Sequence, residues 1–364
     1  TMVYKLFYVI PGLWQVIYGP DIKTSCKERG QELRKIIQDK VIHGGLVKKY
    51  HEETGQEMLD FSANINPFPP ALHAEFPAGC LEYYPDDSYT LLKEEISRVF
   101  HRPPEEITVG NGSIELIRVF CSSVLGPGDR VRIEGPTFGE YEFSSRLAGA
   151  LPAGSGEEYR ARFLCNPNNP TGHLATATEL NRALEECRED SAMLFLDEAF
   201  IELADPDQSM VSCRDPDLFV LRSLTKSFAV PGIRFGYGFG DPDLISTLEI
   251  VRPPWSVNSF AEKFALESFK NYGLLEDSRR KIRTEREWML HKLAQLPLTT
   301  EPPSANFILL NTGHDVRELC LALQRRGILV RDCHSFGLPD AIRVAVRTRD
   351  ENIRLIEELD ACLR

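Results

Sequence analysis

No two of the nine cysteines are spaced Cys-x-x-Cys, and their intervals follow no pattern. An odd, dispersed set excludes a disulfide framework or a cysteine-rich zinc site and points to reduced thiols in a cytoplasmic protein. Positive charge is in short supply: 42 Lys and Arg stand against 54 Asp and Glu, a net −12. That balance argues against a nucleic-acid or anionic-membrane surface, while leaving room for a local basic pocket that takes a small anion. There is no internal repeat and no low-complexity tract. One strongly apolar run stands out, Lys5 to Pro20 (KLFYVIPGLWQVIYGP). It is too short to span a bilayer, Pro11-Gly12 interrupts it, and no small-residue cleavage site follows. It reads as an arm packing on a partner subunit.

What is present is an ordinary globular composition, 42% hydrophobic and 26% charged over 364 residues, enough for one large domain or two. Lys23 to Gln38 has helical spacing, and prolines from Asp60 to Pro70 (DFSANINPFPP) exclude a long helix there. From Ser88 onward, helices and strands alternate. YTLLKEEISRVF is an amphipathic helix, and EITVGNGSIELIRVFCSSVL reads as strand, tight turn and helix. DRVRIEGPTF, YRARFLCNPNNPTG, SAMLFLDEAF and LFVLRSLTK read as further strands, most running into turns. Such alternation predicts an α/β fold with a mixed, mostly parallel sheet covered by helices on both faces. After Asp241 the pattern changes to a long charged helical region from Ser259 to Leu296. NFILLNT, a helix near Val316 to Arg326, ILVRDC, AIRVAVRT and a closing helix follow, the pattern of a smaller α+β domain. The expected division is 1–75 for the arm and part of the small domain, 76–258 for the large domain, and 259–364 for a linking helix and the rest of the small domain.

Ligands of open α/β sheets collect at strand ends. Asp197 ends the apolar strand of LFLDEAF, where a carboxylate needs a cationic partner. Taken alone it reads equally as a helix cap or an internal ion pair. Asn111, Gly112 and Ser113 lie between a strand and a helix, a place for an anion or simply a tight turn. NPNNPTG is a turn by composition, and FGYGFG is a strand with small residues. In SLTKSFAVPGIRFGYG, Lys226 follows Ser223 and Thr225 and precedes Arg234. Together these residues suit one ligand. A phosphate would take the amides near Asn111 to Ser113, the two hydroxyls and Arg234. A cationic ring nitrogen would take Asp197, and an aldehyde would take Lys226. That ligand is pyridoxal phosphate. No metal is expected.

In that order and at those intervals, NPNNPTG, DEAF, SLTK and Arg234 resemble the fold-type I pyridoxal-phosphate enzymes of the aspartate aminotransferase superfamily, from His43 to the carboxyl terminus. The resemblance implies that Lys226 captures the cofactor's aldehyde, that Asp197 keeps its ring nitrogen protonated and that Asn169 bonds its ring hydroxyl. Phe138, in GPTFGEY, would stack on the ring, and Ser223, Thr225 and Arg234 would hold the phosphate. A homodimer is implied as well.

Within the superfamily the chain is similar to threonine-phosphate decarboxylase and histidinol-phosphate aminotransferase. The transaminase pattern DEAY becomes DEAF here, so Phe200 lacks the hydroxyl that would bond the ring. HGG and LDFSANINP resemble the decarboxylase's substrate-binding amino-terminal region, which carries over to His43, Gly44 and Asn64. GILVRDC and IRVAVRT resemble its substrate arginines, Arg331 and Arg343, with Asn169 also near the substrate. The expected activity is decarboxylation of O-phospho-L-threonine or O-phospho-L-serine to an amino alcohol phosphate of cobalamin biosynthesis. The alternatives are amine transfer on a phosphorylated substrate such as histidinol phosphate, and a non-catalytic pyridoxal-phosphate-binding regulator. The regulator is disfavoured by acidic charge and by the roughly 40 residues that precede His43, short for a DNA-binding module.

Overall fold

The computed structural model describes residues 40–72, 75–76 and 78–364; the expected arm and the helix over Lys23–Gln38 lie outside them. Residues 41–364 form one compact unit. In chain order the strands are β1 (Leu59–Asp60), β2 (Ile107–Gly110), β3 (Arg130–Ile133), β4 (Leu151–Pro152), β5 (Ala161–Cys165), β6 (Met193–Asp197), β7 (Leu218–Ser223), β8 (Gly236–Phe239), β9 (Thr299–Thr300), β10 (Phe307–Asn311), β11 (Ile328–Leu329), β12 (Arg331–Asp332) and β13 (Ala341–Ala345). The helices are α1 (Val47–Thr54), α2 (Thr90–Phe100), α3 (Ser113–Val124), α4 (Glu140–Leu147), α5 (Ala177–Glu189), α6 (Pro242–Val251), α7 (Ser259–Lys270), α8 (Leu275–Leu293), α9 (Arg317–Arg325) and α10 (Arg349–Leu363). A single helical turn, Leu224–Ser227, follows β7 directly.

Seven strands form one sheet in the order β2-β8-β7-β6-β5-β3-β4, parallel except for β8, which runs against both neighbours. This is the mixed, mostly parallel sheet expected from the alternation of elements. Period-two burial explains its two covered faces. Leu194 and Leu196 of β6 pack with Leu180 and Leu184 of α5 and with residues of α2 and α7. Phe195 points the other way, into a cluster with Phe120 of α3, Tyr141 of α4 and Leu248 of α6. The short stretch Ala148–Arg160 supplies only β4, a two-residue edge strand.

The antiparallel sheet β12-β13-β10-β9 carries the second core, in which Ile308, Leu310, Ile342 and Val344 meet Met289 of α8, Leu323 of α9 and Leu355 of α10. β1 pairs with β11, and Phe61 bonds both Leu329 and Ala345, tying the chain's early residues to its last strands. Two expectations need refinement. The helical region Ser259–Leu296 is broken at Asn271 by a turn, Tyr272–Leu274, in which Gly273 interrupts the helical run and the Tyr272 hydroxyl is drawn to Glu202 at 3.1 Å. ILVRDC is two strands that serve different sheets, β11 and β12. Among the described residues no helix is long and apolar enough to cross a membrane.

Candidate active site

The parallel strands β5, β6 and β7 end side by side, with Cys165 opposite Asp197 and Asp197 opposite Leu221. Because β8 is antiparallel, its first residue, Gly236, adjoins the ends of β2 and β7, opposite Gly110 and Ser223. Close approach is required there: a Cβ on Gly236 would collide with the Ser113 backbone. Gly112 has φ +78°, and a Cβ on it would enter the Arg234 guanidinium. One sheet edge therefore collects the asparagine turn, Asp197, the Lys226 turn, Arg234 and the start of α3.

These residues line a cavity of about 330 Å³. The structure brings His43, Gly44, Asn64, Ser113, Phe138, Asn169, Asp197, Thr225, Lys226, Arg234, Arg331 and Arg343 to its wall. Ser223 is not among them; its Oγ lies 2.8 Å from Thr225 Oγ1, so it supports a hydroxyl that is. Nor do Asn111 and Gly112 line it. The Asn111 amide donates to Glu115 Oε2 at 2.7 Å and the Gly112 amide to the Gly110 carbonyl at 2.8 Å. Of the expected amide cradle, only Ser113 reaches the cavity.

Asp197 is buried, its Oδ2 accepting from the Tyr141 hydroxyl at 2.7 Å and its Oδ1 from the Ala199 amide at 2.9 Å. Burial pushes its carboxyl up to about 6, against the pull of those two hydrogen bonds. Burial likewise draws the Lys226 amine down to about 8; the Arg343 and Arg234 cations act in the same direction and Asp197 opposes them. An amine that loses its proton near neutrality is a competent nucleophile. Phe200 packs edge-on against Phe307, with ring centroids 5.1 Å apart, and lies 5.8 Å from Lys226 Nζ.

Arg331 and Arg343 sit directly opposite each other on β12 and β13, both buried. Like charges across a strand pair repel, and among the described residues neither has a carboxylate within 4.0 Å. Arg343 donates to the Ser62 carbonyl at 2.8 Å and to Asn169 Oδ1; Arg331 donates to the Ile42 carbonyl at 2.7 Å and to Ser335 Oγ at 2.6 Å. Burial lowers Arg343 to about 10, and the Arg331 charge adds to the effect. Asn64 Oδ1 and Arg343 Nε are buried without hydrogen-bond partners among the described residues.

Sequence reasoning missed Tyr141, Ser62 and Ser335. Tyr141 had a signal, since it stands three residues after Phe138, one helical turn away. The other two had none: Ser62 is a loop serine, and Ser335 sits in a single 3₁₀ turn, His334–Phe336.

The donor set fits pyridoxal phosphate. A deprotonatable amine lies beside a buried carboxylate, Phe138 supplies an aromatic wall, and Ser113, Thr225 and Arg234 would hold a phosphate in space kept open by the glycine at 112. The orphaned polar atoms of Asn64 and Arg343 would remain for a further anionic or polar ligand.

Known proteins agree. Residues 158–359 match the family described as aminotransferase class I and II. The chain is 33% identical over 345 residues to a histidinol-phosphate aminotransferase of Symbiobacterium thermophilum, covering 88% of this chain and 95% of that protein. It is 35% identical over 345 residues to a protein of Caldanaerobacter subterraneus subsp. tengcongensis named "Putative threonine-phosphate decarboxylase", covering 87% and 92%. In fold it is similar to the histidinol-phosphate aminotransferase of Sinorhizobium meliloti in complex with pyridoxal-5'-phosphate, with a TM-score of 0.79 and 21% identity over 90% of this chain and 96% of that one. The chain belongs to the class I and II aminotransferase family, has the fold-type I architecture, and uses pyridoxal 5'-phosphate as its cofactor.

Proposed function

We propose that the protein decarboxylates O-phospho-L-threonine, or its phosphoserine analogue, to an amino alcohol phosphate used in cobalamin biosynthesis. The observation that carries this reading is the buried Arg331–Arg343 pair, which lacks a carboxylate partner among the described residues and calls for an anionic substrate. Phe200 supports loss of carbon dioxide over amine transfer, since its ring packs on Phe307 and offers no hydroxyl to the cofactor.

In this reading Lys226 would be the covalent attachment point, Asp197 would pair with the ring nitrogen, and Asn169 and Phe138 would hold the ring. Ser113, Thr225 and Arg234 would hold the cofactor's phosphate, with Asn111, Gly112 and Ser223 shaping that cradle from behind. When bound, pyridoxal phosphate supplies an electron sink for the pair released at the substrate's Cα. The protein's part is to choose which bond breaks. His43, Gly44, Asn64, Arg331 and Arg343 anchor the substrate so that its carboxylate, not its Cα–H, takes the labile position. Carbon dioxide departs, and the Lys226 ammonium, lowered to about 8, would deliver the proton that takes its place on Cα. The methyl that separates the two substrates is worth only ~1–3 kcal/mol of discrimination.

Amine transfer on a phosphorylated substrate such as histidinol phosphate is the second reading, favoured by the name of the Symbiobacterium relative. Product analysis separates the two. Carbon dioxide released from phosphothreonine without any keto acid supports decarboxylation; amine transfer that needs a keto acid and releases no gas overturns it. Borohydride treatment of the holoenzyme should place the trapped label on Lys226. We read the active form as a cytoplasmic homodimer, supported by the exposed apolar side chains of Leu81, Tyr83, Tyr84, Ile250 and Trp255. Sedimentation of the holoenzyme tests the assembly.

A further inference from the structure

One buried carboxylate beside the cavity has no part in the account above. Glu140 opens α4, two residues after Phe138, and is almost fully buried. Its Oε1 lies 2.9 Å from His43 Nε2; its Oε2 pairs with Arg118 Nη2 at 3.7 Å and has no hydrogen-bond partner among the described residues. The Arg118 cation and the N-terminal end of α4 partly offset the cost of burying that carboxylate, and among the described residues its one hydrogen-bonded side-chain partner is the His43 ring. His43 belongs to a segment whose backbone is fastened at the cavity mouth. The Ile42 carbonyl accepts from Arg331, the Gly45 amide donates to Ser62 Oγ at 2.8 Å, and a Cβ on Gly44 would strike the Ser62 carbonyl. Those contacts hold the main chain. The ring itself is held by Glu140, with Phe138 beside it at a centroid distance of 5.9 Å.

We propose that Glu140 is a positioning residue: it fixes the His43 imidazole through Nε2, leaving Nδ1 as the ring nitrogen that meets the substrate's phosphate. The ring then stands between two anions, one belonging to the protein and one to the ligand. This rests on the reading of the cavity as a site for a phosphorylated amino acid.

The test is a double-mutant cycle on the holoenzyme, reading the Kd of O-phospho-L-threonine from the cofactor's absorbance and the split between KM and kcat. Glu140→Gln should weaken binding and raise KM by about tenfold, with kcat within about twofold. In the His43→Ala background the same substitution should add nothing. Glu140→Asp, which keeps the charge but falls short of the ring, should behave like Glu140→Gln, and unchanged cofactor absorbance reports that both variants fold. If His43→Ala weakens binding and Glu140→Gln does not, this proposal falls and the substrate reading stands. It also falls if Glu140→Gln costs the same with or without His43. If wild type fails to bind the phosphorylated amino acid, or His43→Ala binds it as tightly as wild type, the proposal falls together with that part of the substrate reading.

Discussion

Arg222 and Arg343 are both buried arginines on strands, yet their surroundings are opposite. Arg222, next to Ser223 on β7, donates to Glu198 Oε2 at 2.8 Å, Glu202 Oε1 at 3.0 Å and Ser209 Oγ at 2.6 Å. The Tyr237 and Tyr272 hydroxyls close the cluster on Glu202. Burial alone would pull the Arg222 guanidinium down, but the two carboxylates hold it well above its usual value. Arg343 has carbonyl oxygens and another arginine for company, and burial lowers it. A buried charge with its counter-charge built in is part of the scaffold. One without a counter-charge is set up to receive it from a ligand.

The sharpest way to break this contrast is to remove Arg222. Arg222→Met strands two buried carboxylates and should cost about 3–5 kcal/mol of stability, read from the denaturant midpoint at constant m-value. The fraction that remains folded should keep its substrate affinity, since Arg222 does not line the cavity.

Arg343→Met should give the opposite pattern. Substrate handling, read as kcat/KM, should fall by about 10²–10³-fold. Stability should move by no more than about 1 kcal/mol, because the loss of hydrogen bonds to Ser62 and Asn169 is offset by removal of an uncompensated buried cation. Large destabilisation of this variant would show that Arg343 is a scaffold residue after all.

The same contrast explains what could be read in the sequence. Lys226, Asp197 and Arg234 were legible because each sits at a strand end that apolar runs and turn residues announce, and parallel strands bring such ends together. The opposition of Arg331 and Arg343 was not legible, because it is set by the β12–β13 register, a pairing between segments that local periodicity does not encode. For the same reason nothing in ILVRDC marks the division between its two halves, which pair with β1 and β13. The amide cradle was overcounted because Glu115, in the first turn of α3, reaches back to the Asn111 amide; the residue was visible but its side-chain direction was not.

The smallest expected effect is a pH dependence of the cofactor-free protein, and its sign follows from the two groups at the cavity's centre. The Asp197 carboxyl, raised from 3.8 to about 6, keeps its proton longer when folded, so its contribution to stability is full below 3.8 and is lost as pH rises through 6. The Lys226 amine, lowered from 10.5 to about 8, sheds its proton sooner when folded, so its contribution is full above 10.5 and is lost as pH falls through 8. The stability profile should therefore carry a trough between pH 6 and 8, with walls on the order of 3 kcal/mol. Lys226→Met should remove the alkaline wall. Asp197→Asn should lower the acid wall without abolishing it, because burial also raises Glu198 in the Arg222 cluster. Adding pyridoxal phosphate should raise the midpoint most inside the trough, where the uncompensated charges of the cavity are at their most costly. A profile with no trough, or one that Asp197→Asn and Lys226→Met leave unchanged, would mean that these two groups are as well compensated as Arg222, and the contrast between scaffold and site would have to be redrawn.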